Sequence, residues 1–229
     1  LGGTTLFFRR DILEKLCGWD AHNVTEDADL GVRLARHGYV TELLPTVTYE
    51  EANCRAWPWV RQRSRWLKGF LITWCVHMRR PLHLLRELGA WKFIGFQILF
   101  LSTLMSFFLA PVLWWGLLTV LLGWSNPVFD PMPKPWVAAA TVFFVAAEIV
   151  TLAVFATATA NLPKRPNIGW IITLPVYFIF GTLAAYKGLA ELLFNPFYWD
   201  KTQHGQSFAE NAPSIVQPPP SPHSVSTGS

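Results

Sequence analysis

Two regimes of hydrophobic patterning divide the chain. Up to about residue 92 the apolar positions come in short runs mixed with charge. From Phe93 to Phe194 they run almost unbroken, with seven charged residues among 102. In the first regime Thr4–Phe8 is short and β-prone and predicts a strand. Asp11–Leu16 predicts a helix closed at Cys17-Gly18. Thr25 is a good N-cap, and Glu26, Asp27 and Asp29 crowd the first turn after it, where the helix dipole favours acid. Leu30 and Leu34 give that helix a short apolar stripe, Val32 lies off it, and Gly38 ends it. Tyr39–Leu44 and Thr46–Tyr49 are β-prone runs split by Pro45, and Trp59–Met78 follows Pro58 as one long helix. Short strands alternating with helices predict the C-terminal half of an α/β domain over residues 1–80. Its front half is expected to precede Leu1.

The second regime predicts a helical membrane region. Leu82–Gln97 mixes Arg86, Glu87 and Lys92 with leucines and aromatics, so residues 81–97 read as a helix lying in the membrane interface. Residues 98–123 and 136–160 are each long enough to span a bilayer, at about 20 residues per crossing. Residues 168–194 are apolar but carry Pro175, Lys187 and Glu191. They read as re-entrant or interfacial, with Pro175 splitting the stretch. Residues 195–211 form a polar cytosolic juxtamembrane segment, and the Pro/Ser-rich residues 212–229 read as a disordered tail.

Composition sharpens this division. The chain has 229 residues, of which 52% are hydrophobic and 15% charged, with twelve tryptophans. The roughly 25% charge typical of soluble domains is absent. The net charge of +4 is too small to suggest nucleic acid as a partner. Its distribution says more. Residues 1–92 hold 14 Lys/Arg and 10 Asp/Glu, so that side is expected to be cytoplasmic. Cys17, Cys54 and Cys75 form no paired motif and read as reduced thiols.

Three groups of residues offer chemistry. Thr25-Glu26-Asp27 places a carboxylate, Asp27, at a loop-to-helix junction where it could take a proton from an attacking hydroxyl. A capped helix start explains the same tripeptide. Gln62, Arg65, Trp66 and Gly69 fall at i, i+3, i+4 and i+7 and share one helix face. There a guanidinium can grip a diphosphate and an indole can stack on a sugar ring, although a basic interfacial helix fits too. Trp199-Asp200-Lys201-Thr202-Gln203-His204-Gly205 is dense in polar and ring groups after the last apolar stretch. His37, His77 and His83 are scattered without ligand spacing. Glu148 sits inside a span, where it fits either a polar path or a helix–helix contact.

Thr-Glu-Asp, then Gln-x-x-Arg-Trp 35 residues after Asp27, then membrane segments, resembles the processive membrane glycosyltransferases of family 2, which include cellulose and hyaluronan synthases. Gly2-Gly3-Thr4, Phe8-Arg9-Arg10 and Gly18-Trp19-Asp20 extend the resemblance. It implies a partial glycosyltransferase-A-like α/β domain followed by helical membrane segments. It implies inverting transfer from a nucleotide sugar to a growing saccharide at the bacterial inner membrane, a reaction that can be coupled to export. Asp27 would be the catalytic base, Arg65 would face the donor diphosphate, and Gln62 and Trp66 would hold the acceptor. Thr25 and Glu26 would support the base. Lys201 would reach the diphosphate and His204 would support it, although the order of Lys201 and Thr202 departs from the family's pattern. The family's divalent cation, Mg2+ or Mn2+, would be held by residues upstream of Leu1, and no metal site is expected here. The chain alone is expected to be inactive. Two alternatives stand beside this reading: a single sugar transfer to a lipid-linked acceptor, and a non-catalytic transport or scaffold protein.

Overall fold

The computed structural model describes residues 5–44, 48, 53, 55–160, 167–196 and 198, with only the backbone given for Ile168 and Ile172. Seven α-helices follow one another: α1 Arg10–Lys15, α2 Glu26–Arg36, α3 Ala56–His77, α4 Pro81–Phe96, α5 Thr103–Leu122, α6 Lys134–Ala160 and α7 Leu174–Phe194. A π-helical turn, Gln97–Ser102, joins α4 to α5, and a 3-10 turn, Ile168–Thr173, precedes α7.

The start and stop signals of the first helices act as their chemistry dictates. Cys17 and Gly18 take positive φ (58° and 70°) and turn the chain after α1, and Gly38 (φ 76°) does the same after α2. Helix α2 buries two faces. Leu30 and Leu34 pack with Leu16 against Phe8 and Ile12. Val32 is also buried, on the other side, where it joins Ala28 with Leu84, Leu88, Phe96 and Phe100 of α4 and the π turn. The off-stripe valine thus belongs to the core, because α2 is sandwiched between α1 and the helices that lead into the membrane.

No strand occurs among the described residues. The runs expected to be strands at Thr4–Phe8 and Tyr39–Leu44 are irregular where described, and Thr46–Tyr49 lies largely outside the described residues. A strand is defined by backbone bonds to a neighbour. Among the described residues these segments show none: Val40 and Leu43 are 82% and 99% exposed, and a Thr5–Thr48 hydroxyl pair at 2.9 Å joins the two regions. The described fold is therefore helical, and the expected α/β character is not met within it.

Three helical stretches are long and apolar enough to cross a membrane: Pro81–Leu122, Lys134–Ala160 and Gly169–Phe194. The first is continuous through the π turn. Its break falls at Gly89, which has non-helical angles (φ 73°, ψ 164°), rather than at residue 97. Pro111 lies inside α5 and has no N–H for the Phe107 carbonyl four residues earlier. That carbonyl accepts the Thr182 hydroxyl of α7 at 3.2 Å instead, and the Phe108 carbonyl accepts from Tyr186 at 3.1 Å. Between α5 and α6, Gly123 caps α5 in the left-handed region. Asn126 then accepts from the Val128 and Phe129 amides and donates to Thr119.

Pro175 does not split the last apolar stretch. It stands in the first turn of α7, where a missing N–H costs nothing, so α7 runs intact for 21 residues. What bears on its depth is its packing on α3. Tyr177 sits 4.7 Å from the Trp59 ring, and Ala184 and Ala185 join Trp59, Val60 and Leu67 in one cluster. Gly188 abuts Ser64, and Lys68 Nζ donates to the carbonyls of Asn195 and Tyr198 at 3.3 and 3.2 Å. Both ends of α7 therefore lie against the half of α3 that carries Arg61, Arg63, Arg65 and Lys68, a segment too charged for hydrocarbon. The expectation of two crossings, α5 and α6, thus stands beside a third stretch that is also long and apolar enough to cross.

With two crossings, a Ser207→Cys substitution in a background lacking Cys17, Cys54 and Cys75 is expected to stay unlabelled when intact cells meet a membrane-impermeant thiol reagent. It should label once the membrane is opened. Labelling from outside would require a third crossing.

Candidate functional site

The two sequence motifs meet where the start of α2 docks on α3. Thr25 occupies the N-cap position of α2, but its side chain does not cap the helix. Its N–H and hydroxyl both turn to Asn23 Oδ1, at 3.1 and 3.3 Å. The Thr25 side chain lies directly on Gly69, where an added Cβ would stand 2.5 Å from its Oγ1 and 2.9 Å from its backbone nitrogen. Four residues along α3, Thr73 Oγ1 accepts from Asn23 Nδ2 at 2.8 Å. Four further, His77 Nε2 meets Asp29 Oδ1 at 2.9 Å. Gly69, Thr73 and His77 form a single stripe. One turn before Gly69 on the same helix stand Arg65 and Trp66.

Asp27 is half-buried and has no hydrogen bond or ion pair among the described residues. It lines an open cleft of about 370 Å3 together with Trp19, Asp20, Asn23 and Glu26. Asp29, two residues on, is the opposite case. Its Oδ1 is taken by His77 and its Oδ2 by Arg33 at 2.7 Å. Burial alone would raise the Asp29 pKa, but the His77 hydrogen bond and the Arg33 charge outweigh it and hold the carboxyl below its ordinary value. Arg33 also donates to the Leu16 and Gly18 carbonyls, tying in the end of α1. Arg36 bonds Glu87 of α4 and His77 Nδ1, at 2.7 and 2.9 Å. A guanidinium can only donate, so His77 accepts at Nδ1 and gives its Nε2 proton to Asp29. One network thus joins α1, α2, α3 and α4.

The remaining predicted residues are distributed along α3. Gln62 Oε1 accepts from Asn53 Nδ2 at 3.0 Å. Arg65 is half-buried, and Trp66 is 41% exposed. Over Trp66 lies the Arg63 guanidinium, 4.3 Å from the ring centroid and 5.3 Å from that of Trp59. Burial draws the pKa of Arg63 below the usual guanidinium value. Lys201 and His204 lie outside the described residues, as do Trp199 and residues 212–229. The chain leading to them is held to α3 through Lys68, which is 2% exposed and whose pKa burial lowers.

Thr25 thus packs on Gly69, one turn from Arg65 and Trp66 and two from Gln62, while the cleft that Asp27 lines includes none of these three α3 residues. The structure also adds residues that the sequence reading passed over: Asn23, Thr73, His77, Arg63 and Lys68. His77 carries no motif, and its signal was the four-residue spacing from Gly69 through Thr73. No group of three or more His, Cys, Asp or Glu residues that could hold a metal ion occurs among the described residues. Asp27-Ala28-Asp29 does not fit a divalent cation, because both Asp29 oxygens are already committed.

Residues 1–159 match the family model described as Glycosyl transferase family group 2. The probable glycosyltransferase YdaM of Bacillus subtilis (strain 168) is 40% identical over 68 residues, which are 29% of this chain and 16% of that protein. The UDP-forming cellulose synthase catalytic subunit of Komagataeibacter sucrofermentans is 31% identical over 109 residues, 47% of this chain and 14% of that protein. The matches therefore cover about a sixth or less of these relatives' length. No solved structure matches.

The two aspartates should separate in a stability measurement. Asp29→Ala strands His77 and Arg33 and is expected to cost about 3 kcal/mol in unfolding experiments. Asp27→Ala should change stability by about 0.5 kcal/mol or less. The depressed pKa means that Asp29's ionised form stabilises the fold above the ordinary carboxylate range. That contribution is lost as pH falls below about 4. Gly69→Ala should cost about 1–3 kcal/mol by pushing α2 away. An equal loss in Asp27→Ala and Asp29→Ala would make Asp27 a structural residue.

Proposed function

The chain belongs to glycosyl transferase family group 2, and on that footing we propose that it forms the acceptor side of a bacterial inner-membrane enzyme that transfers a sugar from a nucleotide sugar to a growing saccharide, with inversion. In this reading Asp27 takes the proton of the acceptor hydroxyl as its oxygen attacks the anomeric carbon. The bond to the diphosphate breaks on the opposite face, and its electron pair leaves on the phosphate oxygen. Arg65, joined by Lys201, faces the diphosphate, where a planar fork matches the phosphate oxygens. Gln62 and Trp66 hold the acceptor sugar, while Thr25, Glu26 and His204 support these groups. The cytoplasmic side is the one rich in Lys and Arg, and the extended runs at Leu6–Phe8 and Tyr39–Leu44 belong to an α/β domain. The divalent cation common to the family finds no donor set among the described residues, and no step here is routed through it.

The observation that carries this reading is the contact of Thr25 with Gly69. It sets the start of the α2 helix one turn from Arg65 and Trp66, while the Asp27 side chain has no partner among the described residues. The relative that is a UDP-forming cellulose synthase supports a nucleotide-sugar donor and polymer growth. Sizing the products made from a panel of nucleotide sugars by membranes carrying the whole protein tests it. A polymer supports the proposal, one added sugar on a lipid replaces the acceptor, and no turnover removes the enzyme.

Two variants test the roles. Asp27→Asn is expected to lower turnover at least ~10²-fold while nucleotide binding survives. Near-normal turnover would end the assignment. Trp66→Ala should impair acceptor use more than donor binding, whereas Arg65→Lys should impair donor use because a point charge does not replace the fork.

A further inference from the structure

Trp59, Arg63 and Trp66 stand at i, i+4 and i+7 on α3, so their side chains share a stripe. Trp59 is buried and anchored from α7 by Tyr177, 4.7 Å between ring centroids. The Arg63 guanidinium lies between the two indoles, 5.3 Å from Trp59 and 4.3 Å from Trp66. Its buried Nε has no hydrogen-bond partner, and no carboxylate pairs with it, among the described residues. Ring contacts, not an ion pair, hold it there. Trp66 is the exposed end of this stack.

We infer that Arg63 is a positioning residue for the acceptor: clamped on Trp59, it fixes the plane of the Trp66 indole and closes one of its faces, so that a sugar ring stacks only on the other. The inference rests on the acceptor reading of Trp66 given above. A sugar offers its C–H face to a flat partner, and an indole free to change rotamer must be ordered at each encounter. A guanidinium is planar and weakly hydrated, so it stacks on an indole where an ammonium would stay solvated. The two arginines of Gln62-Arg63-Ser64-Arg65-Trp66 therefore divide their work. Arg63 serves the rings, and Arg65 keeps the donor role proposed above.

The clamp can be read without any substrate. In the whole protein labelled with 5-fluorotryptophan, the Trp66 resonance is identified by its loss in Trp66→Phe. Arg63→Met is expected to shift and broaden that resonance, and Arg63→Lys to do so less. Kinetics then separate positioning from folding. With an oligosaccharide of the sugar identified by the product assay, Arg63→Met should raise acceptor KM about tenfold and Arg63→Lys about threefold. Donor KM and the rate at saturating acceptor should stay within about twofold of the unmodified protein. Should Arg63→Met not accumulate, Arg63→Lys carries both measurements with the same sign. An unchanged Trp66 resonance in the variants overturns the clamp. A raised donor KM overturns it too, by making Arg63 a phosphate ligand. If instead the resonance moves while Trp66→Ala leaves acceptor KM untouched, the clamp stands and the acceptor reading of Trp66 fails.

Discussion

The polar half of the molecule depends on one close approach of backbone to backbone: α2 begins where it does because residue 69 of α3 has no side chain. Any Cβ there would stand 2.9 Å from the Thr25 nitrogen, so the constraint falls on the main chain and no rotamer can relieve it. The next two rungs fix the register. Thr73 meets Asn23 and His77 meets Asp29, both buried. A slip of one residue along α3 would set Phe70, Trp74 and Met78 against these polar groups and leave them unpaired. Buried polar groups without partners cost far more than their bonds return, so the rungs specify one docking among many.

The apolar half is joined to the polar half by α7. Two glycines seven residues apart, Gly181 and Gly188, let it lie close to the Phe107 ring on α5 and to the Ser64 carbonyl on α3. Its Thr182 hydroxyl goes to the Phe107 carbonyl that Pro111 leaves open, and its Tyr186 hydroxyl to the next carbonyl, that of Phe108. Lys187 pairs with Glu191 within α7 and donates to Ser64, while Lys68 closes the seam on carbonyls beyond the helix. These ionisable groups sit at the boundary between a helix of charged residues and helices of apolar ones, the level at which partners from both sides are in reach. The stack from Tyr177 through Trp59 and Arg63 to Trp66 starts on this same helix. The orientation of the exposed indole is thus referred to the membrane helices as well as to α3.

Much of this was legible from local chemistry. Helix starts and stops follow from Gly18, Gly38, Pro58 and the acids after Thr25, and Gly69 was placed on the same face as Gln62, Arg65 and Trp66. The failures have physical causes. Val32 was read as off the stripe because a period-based reading allows α2 one buried face, and α2 has two. His77 was set aside because its partners are 48 and 41 residues distant in sequence, and no spacing encodes them. Thr25 was read as a cap, but its oxygen goes to Asn23 and its methyl to Gly69, so tertiary packing overrode a local preference. Strand propensity at Tyr39–Leu44 forms no ladder among the described residues, because a strand needs a neighbouring edge to take its backbone bonds.

Asp27 and Asp29 occupy the same turn of α2, and the sequence reading singled out Asp27. The fold divides them by what each faces. Asp29 looks into the α2–α3 interface and gathers the donors within reach: Arg33 and His77 directly, and Arg36 through His77. Asp27 looks into the open cleft beside Trp19. The division bears on chemistry, because a buried carboxylate bonded by a guanidinium and an imidazole has its pKa held low and little tendency to take a hydroxyl's proton. Asp29 takes the nearby donors, and Asp27 has no side-chain partner among the described residues.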